Sequence, residues 1–454
     1  MAQKSSDKIS IIGSGLAGCF LAILLANKGY TVDVYERLSK EEISDANSKR
    51  SYNITFRTHG IEILKKADVW GKLQPYLLPL KGAVTQLSKN SKPIISLIPD
   101  DSLEYLSVSR TDLLYVLLKQ IDAHPSISLQ FKKSLLAIDK YEKTITIKDE
   151  KTKAIKTLPS DVVIGADGTN STVRTFLQQG QHSTHSQEYS PGGYKQFTIS
   201  HEDAQKLHLK NDLAYTWSAE SEFILAFPNK DGSLSSLLIL PKDKDGFNSL
   251  QSENAIKKLL NEDFPILQPI QKNIAQQLIE NPVGRFVTIH TDPWFYKDFM
   301  ALIGDAAHAC YPFFGQGTTA AFDDCMALLE LIDRYGSDWT KIFPLYQQAR
   351  KRHMDTLGEL SKEGLNSYMR HKRADFESIY NKLESIGHEL LPKYIQPPVF
   401  QQITENPGKT ADYVEQHNKQ RQLAKRMGIS LFVLLLTGMV SVVENNRRTN
   451  VKAS

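Results

Sequence analysis

Short β-branched and aliphatic runs alternate with longer apolar-periodic stretches along the first part of this chain. Lys8 to Ile12 is one such run, and Gly13-Ser14-Gly15-Leu16-Ala17-Gly18 follows it at once. The pattern turns helical from Cys19 to Asn27 and closes at Lys28-Gly29. Tyr30 to Tyr35 then alternates as a second strand and ends at Glu36, with Arg37 beside it. Strand, glycine turn, helix, strand and acid together predict a β-α-β dinucleotide unit. Its glycines serve the tight turn, the approach of a pyrophosphate and helix packing, and its acid serves the ribose hydroxyls.

A second strand–turn–helix pattern lies two-thirds of the way along. Met300 to Leu302 is a short apolar strand, and Ile303-Gly304-Asp305-Ala306-Ala307-His308-Ala309 and Pro312-Phe313-Phe314-Gly315-Gln316-Gly317 follow. Ala320, Ala321, Phe322, Met326, Leu328, Leu329, Leu331 and Ile332 then recur at helical spacing. A turn of small residues before a helix concentrates free backbone N–H groups. Asp305 would repel a phosphate, so it suits a ribityl or ribose hydroxyl. The helix start can face a ring that gathers negative charge on reduction. This is flavin chemistry.

Between these patterns a helix is expected from Gly60 to Leu73. Strands broken by Pro79, Pro93 and Pro99 are expected from Leu77 to Leu103, crossing into a second domain. Tyr105 to Arg110 precedes a helix from Asp112 to Ile121, and Ile127 to Ile147 reads as two strands with a lysine-rich turn. Asp161-Val162-Val163-Ile164 ends in Gly165-Ala166-Asp167-Gly168, with Thr169 to Arg174 opening a helix. Asp167 and Arg174 either touch a cofactor or pair with each other and cap that helix. Glu188 to Ile199 and Ala214 to Leu240, hinged at Asp231-Gly232, predict an antiparallel roof over the flavin. Trp217, Phe223 and Phe227 there line a ring pocket or simply fill a core. Helices are expected over Trp339 to Leu360, Lys362 to Arg370 and Arg373 to His388. Met427 to Val443 carries no charge, and as a helix its 17 residues reach ~25 Å against a hydrocarbon core of ~30 Å. A buried terminal helix and a membrane-seated anchor both stay open.

At 454 residues the chain exceeds one ordinary core, so two or three domains are expected. With 41% apolar and 23% charged residues it is a globular composition. A net charge of +4 is too weak to argue for nucleic acid. Cys19, Cys310 and Cys325 form no Cys-x-x-Cys pair, which fits reduced thiols in a cytoplasmic protein. No metal-ligand spacing appears, and Met1 to Asp7 is polar, without a signal core.

The stretch from Gly304 to Gly317 resembles the FAD-contacting segment of the single-component aromatic hydroxylases. Kynurenine 3-monooxygenases resemble it most, continuing Gly-Phe-Glu-Asp-Cys where this chain has Ala321-Phe322-Asp323-Asp324-Cys325. Arg50-Ser51-Tyr52-Asn53-Ile54-Thr55, Arg110 and Pro228-Asn229 are similar to further stretches of those enzymes, and Gly165 to Gly168 to the second signature of the superfamily. The resemblance implies an α/β fold with a glutathione-reductase-like, Rossmann-type FAD-binding domain at 1–75, 103–175 and 285–340. An antiparallel-sheet substrate domain would occupy 76–102 and 176–284, and a helical C-terminal region 341–454. It implies FAD contacts at Gly13, Gly15, Leu16, Ala17, Gly18, Glu36, Arg37, Arg110, Asp167, Asp305, Gly317, Thr318 and Thr319. Substrate contacts are expected at Pro312, Phe313, Phe314, Phe223 and Leu225. NADPH or NADH would reduce the flavin transiently, O2 would add at C4a, and the hydroperoxide would deliver oxygen to an electron-rich ring. No catalytic base is implied.

The substrate end departs from the family pattern. Where relatives hold an amino-acid carboxylate with arginine and tyrosine, this chain has Ala83 and Ile98 or their neighbours. The later asparagine and tyrosine fall near Leu365 or Asn366 and near Phe400, and Lys81 or Arg285 could substitute. A tryptophan-derived amino acid is the first expectation; another aromatic or polycyclic substrate, such as an antibiotic, is the second. A flavin-dependent reductase and a non-enzymatic flavoprotein share these motifs, whereas the Trp-x-Trp-x-Ile-Pro motif of halogenases is absent. Eukaryotic relatives are membrane-anchored at the C-terminal end, which keeps the anchor reading of Met427 to Val443 in play.

Overall fold

The computed structural model describes residues 7–43, 53–98, 104–241, 246–369 and 395–426, with His388 and Pro392. One six-stranded sheet runs Phe295–Tyr296, Met300–Leu302, Val162–Gly165, Lys8–Ile12, Thr31–Tyr35, Ile127–Gln130. Every neighbouring pair is parallel except the Phe295–Tyr296 edge. A parallel sheet is covered on both faces, which is why its strands read as unbroken apolar runs. The Leu16–Asn27 helix buries ten of its twelve residues and is wedged between the Arg110–Ala123 and Gly317–Tyr335 helices. Phe20 stacks on Phe322 with ring centres 4.1 Å apart. Each such fully buried side chain stabilises the fold by ~1.5–3 kcal/mol.

A second six-stranded sheet runs Gly193–Ile199, Leu234–Leu240, Phe223–Pro228, Leu213–Ser218, Gly82–Gln86, Ile94–Leu97. It is antiparallel except where Leu213–Ser218 meets Gly82–Gln86, a parallel pairing that follows from the long crossover between them. The roof is therefore mixed rather than wholly antiparallel. A ribbon of Thr184–Tyr189 and Val287–Asp292 leads the chain in and out of it. Each six-stranded sheet has its own hydrophobic core. The Trp339–Met369 helix buries Trp339, Ile342, Phe343 and Tyr346 in the core of the parallel sheet.

Three local expectations are corrected. The helix from Gly60 to Leu73 is two helices, Thr58–Lys66 and Trp70–Leu73, because Asp68 between them has a left-handed φ of 57°. Residues 127–149 form three strands, since Ile127–Gln130 joins the parallel sheet while Thr144–Asp149 pairs with Lys133–Asp139 on one side and Ile155–Pro159 on the other. The helices expected on either side of Ser361 are one, Trp339–Met369, with Ser361 buried on its packed face. Arg50 to Tyr52 and Met427 to Val443 lie outside the described residues. No helix among the described residues is long and apolar enough to cross a membrane.

His290, on the strand beyond Phe286, ties the Trp339–Met369 helix down. Its Nδ1 lies 3.3 Å from Asp355 and its Nε2 2.9 Å from Glu359. Donating a hydrogen bond to Asp355 raises its pKa, against burial, with Lys351 and Lys362 bonded to the same two carboxylates. A raised folded-state pKa contributes stability that is complete below the unfolded value and lost as pH rises through the folded one. Thermal stability should therefore fall as pH rises past the ordinary histidine value of about 6.5, and His290→Gln should flatten that fall. Melting curves on either side of that pH check it; an unaltered slope in the variant would refute the assignment.

Candidate active site

The C-terminal ends of the parallel strands bring the separated motifs together, as open α/β sheets do. The three glycines after the first strand do different work. A Cβ on Gly13 (φ +103°) would lie 2.5 Å from the Ala166 carbonyl oxygen, and one on Gly18 2.1 Å from the Gly13 oxygen. Those two hold the turn against the Gly165–Gly168 signature. A Cβ on Gly15 meets no protein atom within 4 Å, and its φ of −70° with ψ of −176° suits any residue. Gly15 caps the Leu16–Asn27 helix without a side chain, so the N–H groups of Leu16, Ala17 and Gly18 are left for a ligand. Glu36 is buried beneath the turn, accepting hydrogen bonds from Ser14 N (2.9 Å) and Leu38 N (2.9 Å).

Asp167 caps its helix, accepting from Ser171 Oγ at 2.5 Å, Thr172 N at 2.7 Å and Val173 N at 3.2 Å. Burial raises its pKa in spite of these donors. Arg174 does not pair with it through a direct hydrogen bond. Its guanidinium donates to Ala306 O (2.8 Å) and Thr169 O (2.6 Å), stitching the second signature to the Gly304–Asp305 turn. Gly304 itself takes φ 55° and ψ −139°, a glycine conformation, with Asp305 exposed just beyond it.

Arg37, Arg110, Asp167, Asp305, Arg285 and Pro312 all line one cleft of about 1060 Å³, which is at the top of the range for ligand sites. Three guanidiniums thus face two carboxylates, one of them already engaged as a helix cap. Arg110 Nε borders the cleft, and it, Gln316 Oε1 and Thr319 Oγ1 are buried without a protein partner. Gly317 opens the Gly317–Tyr335 helix, and a Cβ there again meets nothing within 4 Å; Thr318 follows it, half-buried. Orphaned buried donors and acceptors need a ligand or water. Together with an open helix start and a glycine turn, they fit a group bearing phosphates, hydroxyls and a polar ring edge, as FAD does.

Aromatics from the roof and from the Pro312 segment cluster beside this lining, and Tyr194 and Phe286 belong to both. Tyr194 stacks on Phe286 at 4.6 Å, and Phe286 leads to Tyr311 at 6.2 Å. Phe223, Leu225 and Phe313 join them in one aromatic cluster, closed by Leu365 from the C-terminal helix. Phe314 turns instead toward Phe400 (5.3 Å). Trp217 belongs to the other core. Lys81 pairs with Asp212 at 3.1 Å and lies away from the cleft, whereas Arg285 lines it and makes no hydrogen bond or ion pair among the described residues. Burial pushes the Cys310 thiol up to about 12, so it stays protonated.

Two groups stand in the family-like stretches of the sequence without a role assigned to them there. Asn53 Nδ2 lies within 3.1 Å of Ser107 Oγ, Pro228 O and Asn229 Oδ1, joining the cofactor side to the roof. Asp324 is fully buried among Gly304, His308 and Arg350. A carboxylate on the apolar face of a helix, beside Phe322 and Leu328, was the available signal, because a buried charge demands partners.

Residues 7–354 match the family model described as FAD binding domain. The chain is 27% identical to the kynurenine 3-monooxygenase of Salinispora tropica, over 98% of each chain. It is 32% identical to that of Legionella pneumophila (strain Corby), over 78% of each. Among solved structures, the tetrameric form of 2-methyl-3-hydroxypyridine-5-carboxylic acid oxygenase superposes with a TM-score of 0.67 at 21% identity, covering 81% of this chain and 94% of that one.

Proposed function

The chain belongs to the FAD binding domain family and is an FAD-dependent aromatic monooxygenase using NAD(P)H; on that premise we propose which residues serve the reaction and on what ring. Bound FAD supplies the electron transfer and the activation of O2. The Gly15 turn and the first N–H groups of the Leu16–Asn27 helix receive its pyrophosphate, with Arg37 and Arg110 neutralising charge and Glu36 serving the adenosine ribose. Asp305 takes a ribityl hydroxyl. The open start at Gly317, with Thr318 and Thr319, faces the ring edge that becomes electron-rich. Asp167 acts mainly through the helix it caps while bordering the cleft. Pro312 and the cluster of Phe223, Leu225 and Phe313 hold the substrate ring and keep water away, which limits wasted oxidant. Phe314 braces Phe313 from behind, their ring centres 5.1 Å apart. The proposed substrate domain at 76–102 and 176–284 is supported by the second six-stranded sheet, and the C-terminal region at 341–454 by the Trp339–Met369 helix.

For the substrate we favour a tryptophan-derived aromatic amino acid of the kynurenine type, because the relatives covering most of the chain are kynurenine 3-monooxygenases. Arg285 is the chain's own candidate for an anionic group. The observation that carries the functional reading is the one cleft shared by Arg37, Arg110, Asp167 and Asp305, with Arg110 Nε partnerless there. Screening NAD(P)H oxidation by the yellow protein against an aromatic library, with peroxide measured in parallel, tests it. No stimulation by any ring would overturn it.

Association with a membrane through Met427 to Val443 belongs to the same proposal. Removing 427–454 should shift the protein from the membrane fraction to the soluble one while leaving flavin occupancy as before. Loss of flavin on truncation would make the segment part of the core instead.

A further inference from the structure

We propose that Asp324, which is not among the residues lining the cleft, is the positioning residue for the Gly304–Asp305 turn, an inference that rests on the FAD site assigned above. Asp324 sits on the Gly317–Tyr335 helix at 0% exposure. Its Oδ2 accepts from Gly304 N at 2.9 Å and lies 2.6 Å from His308 Nε2. These are the two ends of the Asp305–His308 helix. A helix of four residues cannot sustain itself, and this one has no side-chain cap. One carboxylate oxygen therefore clamps both ends and fixes where Asp305 enters the cleft.

The other oxygen is held from the C-terminal helix. Arg350 Nε donates to Asp324 Oδ1 at 2.8 Å, and its Nη2 donates to Ala320 O at 3.1 Å. Arg350 Nη1 stands 4.0 Å from Asp323, whose other oxygen lies 2.8 Å from His59 Nε2. Tyr346, packed on the same spot, donates to Leu302 O at 3.1 Å, and Trp294 lies against His308 with ring centres 4.9 Å apart. A buried carboxylate is tolerated when both of its oxygens have donors, as here. Apolar packing would join these helices as well, but it could not accept the Gly304 N–H that the turn leaves pointing inward. The charge sits where backbone geometry needs an acceptor.

The test titrates FAD into flavin-stripped protein, following flavin fluorescence and absorption. Asp324→Asn should weaken FAD binding by about tenfold or more, the scale set by removing a group that orients a ligand-holding residue. It should also alter the fine structure of the bound flavin spectrum. A merely structural staple would lower the melting temperature and leave affinity and spectrum as in the wild type, and that result overturns the proposal. Where Asp324→Asn yields no folded protein, His308→Gln decides. It keeps a donor near Asp324 with altered reach, and a several-fold affinity loss supports the proposal while wild-type binding overturns it. Failure of the wild-type protein itself to bind FAD would count against the functional reading instead.

Discussion

Gly15→Val yields a folded protein that no longer holds FAD. The backbone at Gly15 is in an extended region open to every residue, and a Cβ placed there touches no protein atom within 4 Å. The fold should therefore accept the valine. The space it enters is where the proposed FAD site puts the pyrophosphate, so the side chain should displace the ligand and block its N–H donors. Losing those charge-assisted hydrogen bonds should weaken binding by ~10²-fold or more. Gly13→Ala and Gly18→Ala make the contrast, because their added carbons would meet backbone at 2.5 and 2.1 Å and should cost the fold itself. Flavin content after gel filtration, beside a circular dichroism spectrum, checks all three. Wild-type flavin occupancy in Gly15→Val would place the cofactor elsewhere.

Kynurenine should drive NAD(P)H consumption with much of the oxygen released as peroxide. On the roof, Ala83 pairs across its sheet with Ser96 and Ala214, so the position set against the family's arginine carries no charge and has none directly across from it. Lys81 is engaged by Asp212 and its side chain is 72% exposed. Leu365 fills the aromatic cluster, and Phe400 packs against Phe314. Arg285 is left, but it is exposed, where solvent screening weakens its hold on a carboxylate. Hydrogen bonds to a charged group contribute ~1.5–3 kcal/mol, so losing a dry clamp should cost about ten- to a hundredfold in affinity. A loosely held ring spends less time in position for attack. Hydroxylated product per NAD(P)H consumed is the measurement, and a ratio near one at low kynurenine would mean that residues elsewhere rebuild the clamp.

The cofactor half was legible because its signals are local. Ile9 and Ile11 before three glycines, or Met300 to Leu302 before Gly304, are contiguous patterns whose spacing carries the geometry. What stayed hidden depends on partners far along the chain. Asn53 meets Asn229, and Asp324 meets Arg350, through folding that no window of residues contains. The parallel pairing of Gly82–Gln86 with Leu213–Ser218 was hidden for the same reason, since alternation tells which face is buried but not which strand lies alongside. The break at Asp68 was missed because an aspartate tolerates a left-handed φ that the helical periodicity around it does not announce. The aromatic cluster was legible as residue types, while its sharing of Tyr194 and Phe286 with the cleft lining was not.

The central claim is that this site moves an oxygen atom from O2 onto an aromatic ring at the expense of NAD(P)H. The most direct measurement supplies isotopically heavy O2 to the FAD-loaded protein with NAD(P)H and a panel of aromatic amino acids and acids, then reads ring-hydroxylated products by mass. Heavy oxygen in the product of at least one ring, absent without NAD(P)H and absent in Gly15→Val, is the expected result. NAD(P)H consumed with all of the oxygen recovered as peroxide across the whole panel would contradict it.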